Sequence, residues 1–135
     1  MANQFSVAVR NARLEAIETA IGPGAVLKIR TGAVPANVAT ADAGTVLATL
    51  TLPSNWMADA SGGTKALAGT WQDTSADATG TAAHFRIYAS DGTTAGWQGT
   101  VGVSGSGADM IVDSTSFTAG QSFTVTSFTL TEGNA

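Results

Sequence analysis

The sequence predicts a mainly β fold: an antiparallel β-sandwich, jelly-roll-like, with one N-terminal α-helix. Helical periodicity is confined to the first part of the chain. After Pro23 the sequence changes to short β-favouring runs separated by turn signals rich in Gly, Ser and Asp. We therefore divide the chain into an N-terminal arm and helix, residues 1–22, and a β-sandwich domain, residues 23–135.

The predicted helix covers residues 6–21. Ser6 is a candidate N-cap, and Gly22 followed by Pro23 is a strong stop signal. Apolar residues form one stripe at roughly helical spacing: Val7, Leu14, Ile17 and Ile21. Charged residues are expected on the other faces: Arg10, Arg13, Glu15 and Glu18. The stripe must be buried somewhere, either on the chain's own β domain or on a neighbouring subunit or host surface.

Seven runs are candidate strands: residues 25–31, 45–52, 65–71, 84–89, 97–103, 109–113 and 122–131. Leu27 and Ile29 alternate with charged neighbours, and Phe85 and Ile87 do the same further along. This alternation predicts antiparallel strands with one buried and one solvated face. No interdomain linker or fixed-period repeat is visible between these runs.

The last predicted strand contains a change of phase. Phe123 and Val125 share one parity, whereas Phe128 and Leu130 share the other. Because side chains alternate with a period of two, one face cannot hold both pairs without an inserted residue. We predict a bulge or a crossover between sheets near residues 126–127, or a strand buried on both faces.

Composition excludes several functional classes. The chain has 135 residues, 12% of them charged, and a formal net charge of −4, which is unlike the basic footprint of a nucleic-acid binder. It has no Cys and a single His, which excludes thiolate zinc sites, cysteine catalysis and multi-histidine metal sites. No signal-like segment or long apolar run is visible, so we expect a soluble protein made in the cytoplasm, with no membrane partner.

No set of residues in the sequence predicts catalysis, a cofactor or a metal. His84 has no nucleophile placed near it and is expected to be an ordinary strand residue. The loop from Asp73 to Thr79 offers oxygen ligands at alternate positions, but a polar connecting loop explains it better than calcium. Asp109 and Asp113 are expected on one wet strand face rather than in a glycosidase pair. We therefore expect a protein that is not an enzyme.

Aromatic residues leave two interpretations open. Trp71 and Trp97 border apolar strands and are expected to fill the core. Trp56 lies in a predicted loop and is either tucked under the β domain, which we favour, or exposed for a partner. With Tyr88 and Trp97, an exposed Trp56 would form a platform for sugars. Candidate partner-binding residues lie in the arm, the helix and this loop: Phe5, Val7, Leu14, Ile17 and Trp56.

Five segments of the sequence together carry a resemblance to a known group of proteins: VRNARLEAIETAIG, LKIRTG, LTLPSNWM, GTWQDTSADATGTAAHFRIYASDG and VTSFTLTEGNA. Over residues 9–135 the chain resembles small structural proteins of tailed-phage virions, most of all the head decoration, or capsid-cementing, proteins. The resemblance lies in overall phrasing and composition rather than in a short diagnostic motif.

The resemblance implies a β-sandwich or jelly-roll module that binds the outer surface of an icosahedral capsid and bridges neighbouring capsomers. It implies the major capsid protein as partner, a dimer or trimer on the shell, synthesis in the host cytoplasm and a place on the virion exterior. It implies no catalytic residue and no cofactor. The alternative is a carbohydrate-binding, tail- or neck-associated β-sandwich module of a phage particle.

Overall fold

The structure is a computed structural model that describes residues 3–132; two residues of the predicted arm and the last three of the predicted β domain lie outside this range. One helix, α1 (Val7–Ile21), comes first. The strands follow in chain order: β1 (Val26–Arg30), β2 (Val46–Thr51), β3 (Thr64–Ala66), β4 (Gln72–Asp73), β5 (Gly80–Thr81), β6 (His84–Tyr88), β7 (Ala95–Gly102), β8 (Met110–Val112), β9 (Ser116–Phe117), β10 (Phe123–Ser127) and β11 (Thr129–Thr131). The prediction of a mainly β chain with one helix is confirmed.

Seven strands form one large sheet in the order β2-β1-β6-β7-β8-β10-β4. Its pairs are antiparallel except β7 with β8, which run parallel, so the sheet is mixed. Two small antiparallel ladders, β11 with β3 and β5 with β9, lie outside it. The expectation of purely antiparallel strands is therefore wrong at β7 and β8, where a loop returns the chain in the same direction.

The two edges of the large sheet, β2 and β4, lie close together and nearly close it into a ring. Thr49 of β2 donates its backbone N–H to Asp73 Oδ2 at 3.1 Å and its hydroxyl to Asp77 Oδ2 at 2.8 Å. The Asp77 N–H in turn donates to the Leu47 carbonyl at 2.7 Å. These bonds occupy edge groups that an open sheet would offer to another chain.

The predicted change of phase in the last strand is confirmed as a crossover between sheets. The pairing of β10 with β8 shifts register between Val125 and Ser127. The chain then leaves the large sheet at Phe128 and pairs with β3 as β11. Phe123, Val125 and Phe128 are all buried, because the register shift turns Phe128 back towards the core.

The core is built around aromatic side chains. Trp56 and Trp71 are buried, with ring centroids 6.0 Å apart, and Trp97 lies 4.7 Å from the Phe128 ring. Trp56 donates its indole N–H to the Gly22 carbonyl at 3.0 Å, and Trp71 donates to the Trp56 carbonyl at 3.1 Å. Each indole N–H is thus satisfied inside the fold, as a buried tryptophan requires.

Two strand predictions need correction. The run 65–71 was expected to be one strand, but only Thr64–Ala66 forms β3, and Trp71 precedes the separate strand β4. Strand β6 was expected to have one wet face, but all five of its residues are buried. Its polar face is covered by residues 31–45, which we call the covering loop. No helix in the described range is long and apolar enough to cross a membrane.

The β6–β7 hairpin turns at Asp91-Gly92. Gly92 has φ +71°, which an L side chain rarely adopts, and its N–H donates to the Ala89 carbonyl at 2.9 Å. The Asp91 carboxylate accepts from the Thr94 hydroxyl and from the backbone N–H groups of Thr94 and Thr93. These hydrogen bonds lower the pKa of Asp91 to about 2.

Candidate interaction surface

Helix α1 begins and ends as the sequence predicts. Ser6 is the N-cap, and its hydroxyl oxygen accepts a hydrogen bond from the Val9 N–H at 3.2 Å. At the other end Gly22, with φ +96°, caps the helix by donating its N–H to the Glu18 carbonyl at 2.9 Å. Both ends are therefore fixed by local chemistry, so the helix has a defined rotation against the β domain.

The face of α1 that lies on the β domain is largely polar. Leu14 is the one helix residue that is fully buried in the described structure. Beside it, Glu15 and Glu18 both pair with Lys65 of β3, at 2.8 and 3.2 Å. The Lys65 side chain is 0% exposed, so this ion pair is removed from solvent on its basic side. The helix is thus attached by ion pairs and hydrogen bonds as well as by the apolar contacts of Leu14 and Ile21.

Backbone groups of the segment before β3 add to this polar attachment. The Met57 N–H donates to Glu18 Oε2 at 2.8 Å, and the Ala60 N–H donates to Glu15 Oε1. The Gly63 N–H donates to Asn11 Oδ1 at 2.9 Å. These bonds satisfy donors that would otherwise be buried without partners, which is a costly condition.

Lys65 and Glu15 each stabilise the charged form of the other. Burial disfavours the charged form of Lys65, but the hydrogen bonds that its ammonium group donates to Glu15 and Glu18 outweigh this effect and raise the pKa of Lys65. The N–H of Ala60, followed by Lys65, lowers the pKa of Glu15. Lys65 and Glu15 therefore stay charged across the physiological pH range.

The opposite face of α1 is apolar and exposed. Phe5, just before the helix, and Val9 keep 45 and 43% of their surface in solvent. Val7 is 46% exposed, but it is seven residues before Leu14 and so lies at the N-terminal end of the inner stripe. The remaining exposed positions of the helix are mostly alanine: Ala8, Ala12, Ala16 and Ala20. Arg13, the charged residue among the exposed positions of α1, pairs with Glu132 at 2.7 Å and lies over the Phe5 ring at 5.1 Å. We call this surface, formed by residues 5–20 that face solvent, the outer face of α1.

The structure separates the five predicted partner-binding residues. Phe5 is exposed just before the helix, and Val7 is exposed at the N-terminal end of the inner stripe. Ile17 is half-buried, and Leu14 is buried against the β domain. Trp56 is 0% exposed, which confirms the tucked position favoured for it and leaves its ring closed to a partner in this structure. The predicted stripe thus occupies one side of the helix, exposed at Val7 and buried or half-buried at Leu14, Ile17 and Ile21.

A buried polar cluster beneath the covering loop was missed by sequence reasoning. Arg30 and Arg86 are 6% and 2% exposed, on the face of β1 and β6 that was expected to be wet. Both pair with Asp42 of the covering loop, at 3.0 and 2.8 Å, and Tyr88 donates to the same carboxylate at 2.7 Å. Burial opposes ionisation of Asp42, but the bonds from Tyr88 and Arg86 outweigh it and lower its pKa.

The rest of the covering loop is held by its carbonyls. Arg86 donates to the Asn37 carbonyl at 3.2 Å, and Gln98 donates to the Pro35 carbonyl at 2.8 Å. His84 is fully buried, with its Nδ1 2.7 Å from the Gly32 carbonyl. Because a carbonyl only accepts, Nδ1 carries the proton, and the buried Nε2 has no hydrogen-bond partner. The sequence contained one sign of the buried polar cluster, the acidic residue Asp42 within a long loop. Acidic residues in loops are too common for this to predict that Asp42 pairs with Arg30 and Arg86.

The acidic residues weighed as chemical sites serve the fold. Asp109 accepts from the N–H and hydroxyl of Thr100, and Asp113 accepts from the Thr124 N–H. Asp73 and Asp77 bind Thr49, as described above. Within residues 3–132 no three His, Asp or Glu side chains are arranged to hold a metal ion.

Comparisons of the chain with protein-family models, with curated proteins and with solved structures find no match. The interpretation of its function therefore rests on the residues themselves.

Proposed function

We propose that this chain is a structural virion protein that binds the outer surface of an icosahedral phage capsid and cements neighbouring capsomers. The proposed family is the one that the sequence resembles, the head decoration proteins of tailed phages. The observation that supports a binding role is the exposed surface of α1, where Val9 and four alanines face solvent while Glu15 and Glu18 pair with Lys65 of the chain's own β domain. A helix on the surface of a domain normally exposes its charged residues instead.

The outer face of α1 has the character of an interface. Phe5 and Val9 are exposed and add to the alanine surface of the helix. Contiguous apolar surface on a soluble protein usually marks a place where a partner binds. Arg13 is already paired with Glu132, so covering this face requires little removal of water from unpaired charge.

A capsid lattice suits such a modest surface. Each contact can be weak, because many copies bind a repeating shell and their stabilisation accumulates only on the assembled particle. The net charge of −4 suits an exterior position rather than one that faces packaged DNA. The proposal includes the finer fold class, a β-sandwich or jelly-roll-like module, with the major capsid protein as partner and a dimer or trimer on the shell.

The test is co-sedimentation of the purified chain with phage heads that lack it, measured to saturation. We expect saturable binding at many copies per head and a higher temperature of head disruption. Val9→Asp, at an exposed position, should weaken binding at least about tenfold without changing the fold, since a buried unpaired carboxylate costs more than 1.4 kcal/mol.

The matched control is Lys28→Gln, at a half-buried position of β1 whose ammonium group donates to the Gly92 carbonyl of the β6–β7 hairpin; it also changes the net charge by one unit. It should leave head binding unchanged. Sparse or absent binding to heads would reject the capsid role in favour of the tail or neck. The sugar platform is not favoured, because Trp56 and Tyr88 are both 0% exposed.

A further inference from the structure

Strand β8 is much shorter than its neighbour β7. It spans Met110–Val112, whereas β7 spans Ala95–Gly102. The two pair only at Val101 and Gly102 of β7. On the side of β7 away from β6, residues 95–99 therefore have no strand beside them in the described structure.

The backbone of β7 offers hydrogen-bonding groups on that open side. Val101 donates its N–H to the Ala83 carbonyl at 3.0 Å, which fixes the odd-numbered residues 97, 99 and 101 as those bonded towards β6. The N–H and C=O of Gln98 consequently point to the open side. Thr100 follows the same phase, since its N–H donates away from β6 to Asp109 Oδ2 at 2.9 Å.

Strand β11 offers a second set of groups towards the same place. Leu67 donates to the Phe128 carbonyl at 3.0 Å, and Glu132 donates to the Gly63 carbonyl at 2.8 Å, so the even-numbered residues of β11 bond towards β3. The N–H and C=O of Thr129 therefore point the other way. They point to the same side of the chain as β8, which pairs with β10 before the chain crosses over at Phe128 and continues as β11.

By the strand order, one strand position separates these two edges. Strand β8 lies between β7 and β10, and β11 continues the chain of β10. Edges separated by one missing strand are about 10 Å apart. A groove of about 330 Å³ occupies this position; Trp97 and Leu130 contribute apolar surface to it, and Asp109 lies at its β8 end. We call it the β7–β11 slot.

We propose that the β7–β11 slot binds an extended segment of another polypeptide, which adds as a strand in line with β8. Its backbone pairs with the groups of Gln98 and Thr129, and one of its side chains packs against Trp97. Asp109 is the charged residue of the lining, so the segment is basic or uncharged rather than acidic. This inference concerns residues other than the outer face of α1 and stands whether or not the capsid role is correct.

The test uses a synthetic peptide, acetyl-Lys-Thr-Val-Thr-Val-Thr-amide, titrated against the full chain. Trp97 is half-buried at the slot, so binding should shift the tryptophan fluorescence to shorter wavelength, and Trp97→Phe should abolish the shift. We expect a dissociation constant of about 1 mM or tighter, as for weak strand addition. The same peptide with N-methyl groups on alternate amides should bind at least about tenfold more weakly, because it cannot complete the ladder.

Thr129→Pro removes the backbone donor on the slot side while keeping the bonds of β11 to β3, so it should weaken binding at least about tenfold. Thr129→Val keeps that donor and is the matched control. Circular dichroism and thermal melting establish that both variants fold, and the N-methylated peptide gives an independent comparison if Thr129→Pro does not.

Three outcomes would overturn the proposal. The first is no fluorescence shift at millimolar peptide. The second is equal binding of the plain and N-methylated peptides, which would indicate an apolar cleft rather than a strand site. The third is concentration-dependent self-association that Thr129→Pro abolishes, because a second copy of the chain would then be the occupant.

Discussion

Three basic side chains that are almost fully buried are each paired with an acid from a segment outside the central strands. Lys65 is paired by Glu15 and Glu18 of α1, whereas Arg30 and Arg86 are paired by Asp42 of the covering loop. A buried charge is tolerated only while its partner is in place. The attachment of both segments to the β domain therefore depends on a few carboxylates.

Lys65→Met is expected to destabilise the chain by about 3 kcal/mol, because it leaves Glu15 and Glu18 facing each other without their cation. Urea unfolding followed by tryptophan fluorescence measures this loss. Lys28→Met is the control, since Lys28 is half-buried and bonds to one carbonyl, and it should cost less than about 1 kcal/mol. Equal losses for the two variants would contradict this account of the contact.

Stability is expected to fall as the pH drops below 6.5. Burial lowers the pKa of His84 below its ordinary value of 6.5, with the cations of Arg30 and Arg86 acting in the same direction and the Gly32 carbonyl and Asp42 opposing them. The unfolded chain then takes up a proton that the folded chain resists, so the contribution is present above pH 6.5 and decreases towards the folded pKa.

The measurement is the free energy of unfolding from pH 5 to pH 8 for the natural chain and for His84→Gln. The difference between the two curves should shrink as the pH falls, because the variant has no imidazole to protonate. Parallel curves would show that His84 does not titrate with unfolding.

At the scale of elements, the covering loop is a segment of 31–45 that has no helix or strand of its own and is held by side chains of the sheet. Asp42→Asn removes the carboxylate that pairs with Arg30 and Arg86. The Asp42 side chain is 39% exposed, so water offsets part of the loss, and we expect about 2 kcal/mol of destabilisation. Limited proteolysis should then cut within the loop faster than in the natural chain.

Asp91→Asn is the control for that experiment, since it changes the same charge in an exposed hairpin. It should leave cleavage in the covering loop unchanged. Cleavage at the natural rate in Asp42→Asn would mean that the carbonyl contacts of Asn37 and Pro35 hold the loop by themselves.

The sequence predicts correctly those features that depend on neighbouring residues, such as the ends of the helix. It predicts wrongly the burial of faces that are covered by residues far along the chain. The cap at Ser6 and the stop at Gly22 fixed the helix to within one residue. The apolar stripe of α1 was placed correctly at Leu14 and Ile21, but Glu15 and Glu18 were expected on other faces. Acidic residues normally face solvent, and only Lys65, far along the chain, draws these two inwards. The wet face expected for β6 failed for the same reason, since its cover comes from a loop without periodicity.

At the scale of the whole molecule, the large sheet is nearly closed by side chains rather than by a continuous ladder. Asp73→Ala removes the acceptor of the Thr49 N–H and opens the contact between β2 and β4. We expect a loss of about 1 kcal/mol and an increased tendency to self-associate, because an unpaired edge can template pairing with another chain.

Thermal melting and light scattering at raised concentration measure both effects. Asp59→Ala, at an exposed position outside the sheet, is the matched control and should change neither. An Asp73→Ala variant that stays monomeric and equally stable would show that Asp77 alone maintains the closure.

The order of the strands in the sheet could not be predicted from the sequence, although the positions of most strands could. Period-two alternation located β1, β2 and β6, and the change of parity before Phe128 predicted the crossover into a second ladder. Strand order depends on which distant edges meet, and no local pattern encodes the parallel pairing of β7 with β8. The strands β4, β5 and β9 have two residues each and leave no periodic signal.

The hairpin at Asp91-Gly92 has a consequence for the chemical lifetime of the chain. Aspartyl-glycyl bonds are prone to spontaneous rearrangement, in which the glycine nitrogen attacks the aspartyl side chain, closes a cyclic imide and reopens as an isoaspartyl linkage. Here the Asp91 carboxylate accepts hydrogen bonds from Thr93 and Thr94, and its low pKa of about 2 keeps it ionised. The attacking group, the Gly92 N–H, is itself bonded to the Ala89 carbonyl. An ionised, restrained carboxylate is a poor electrophile, so this turn should resist ageing during long storage.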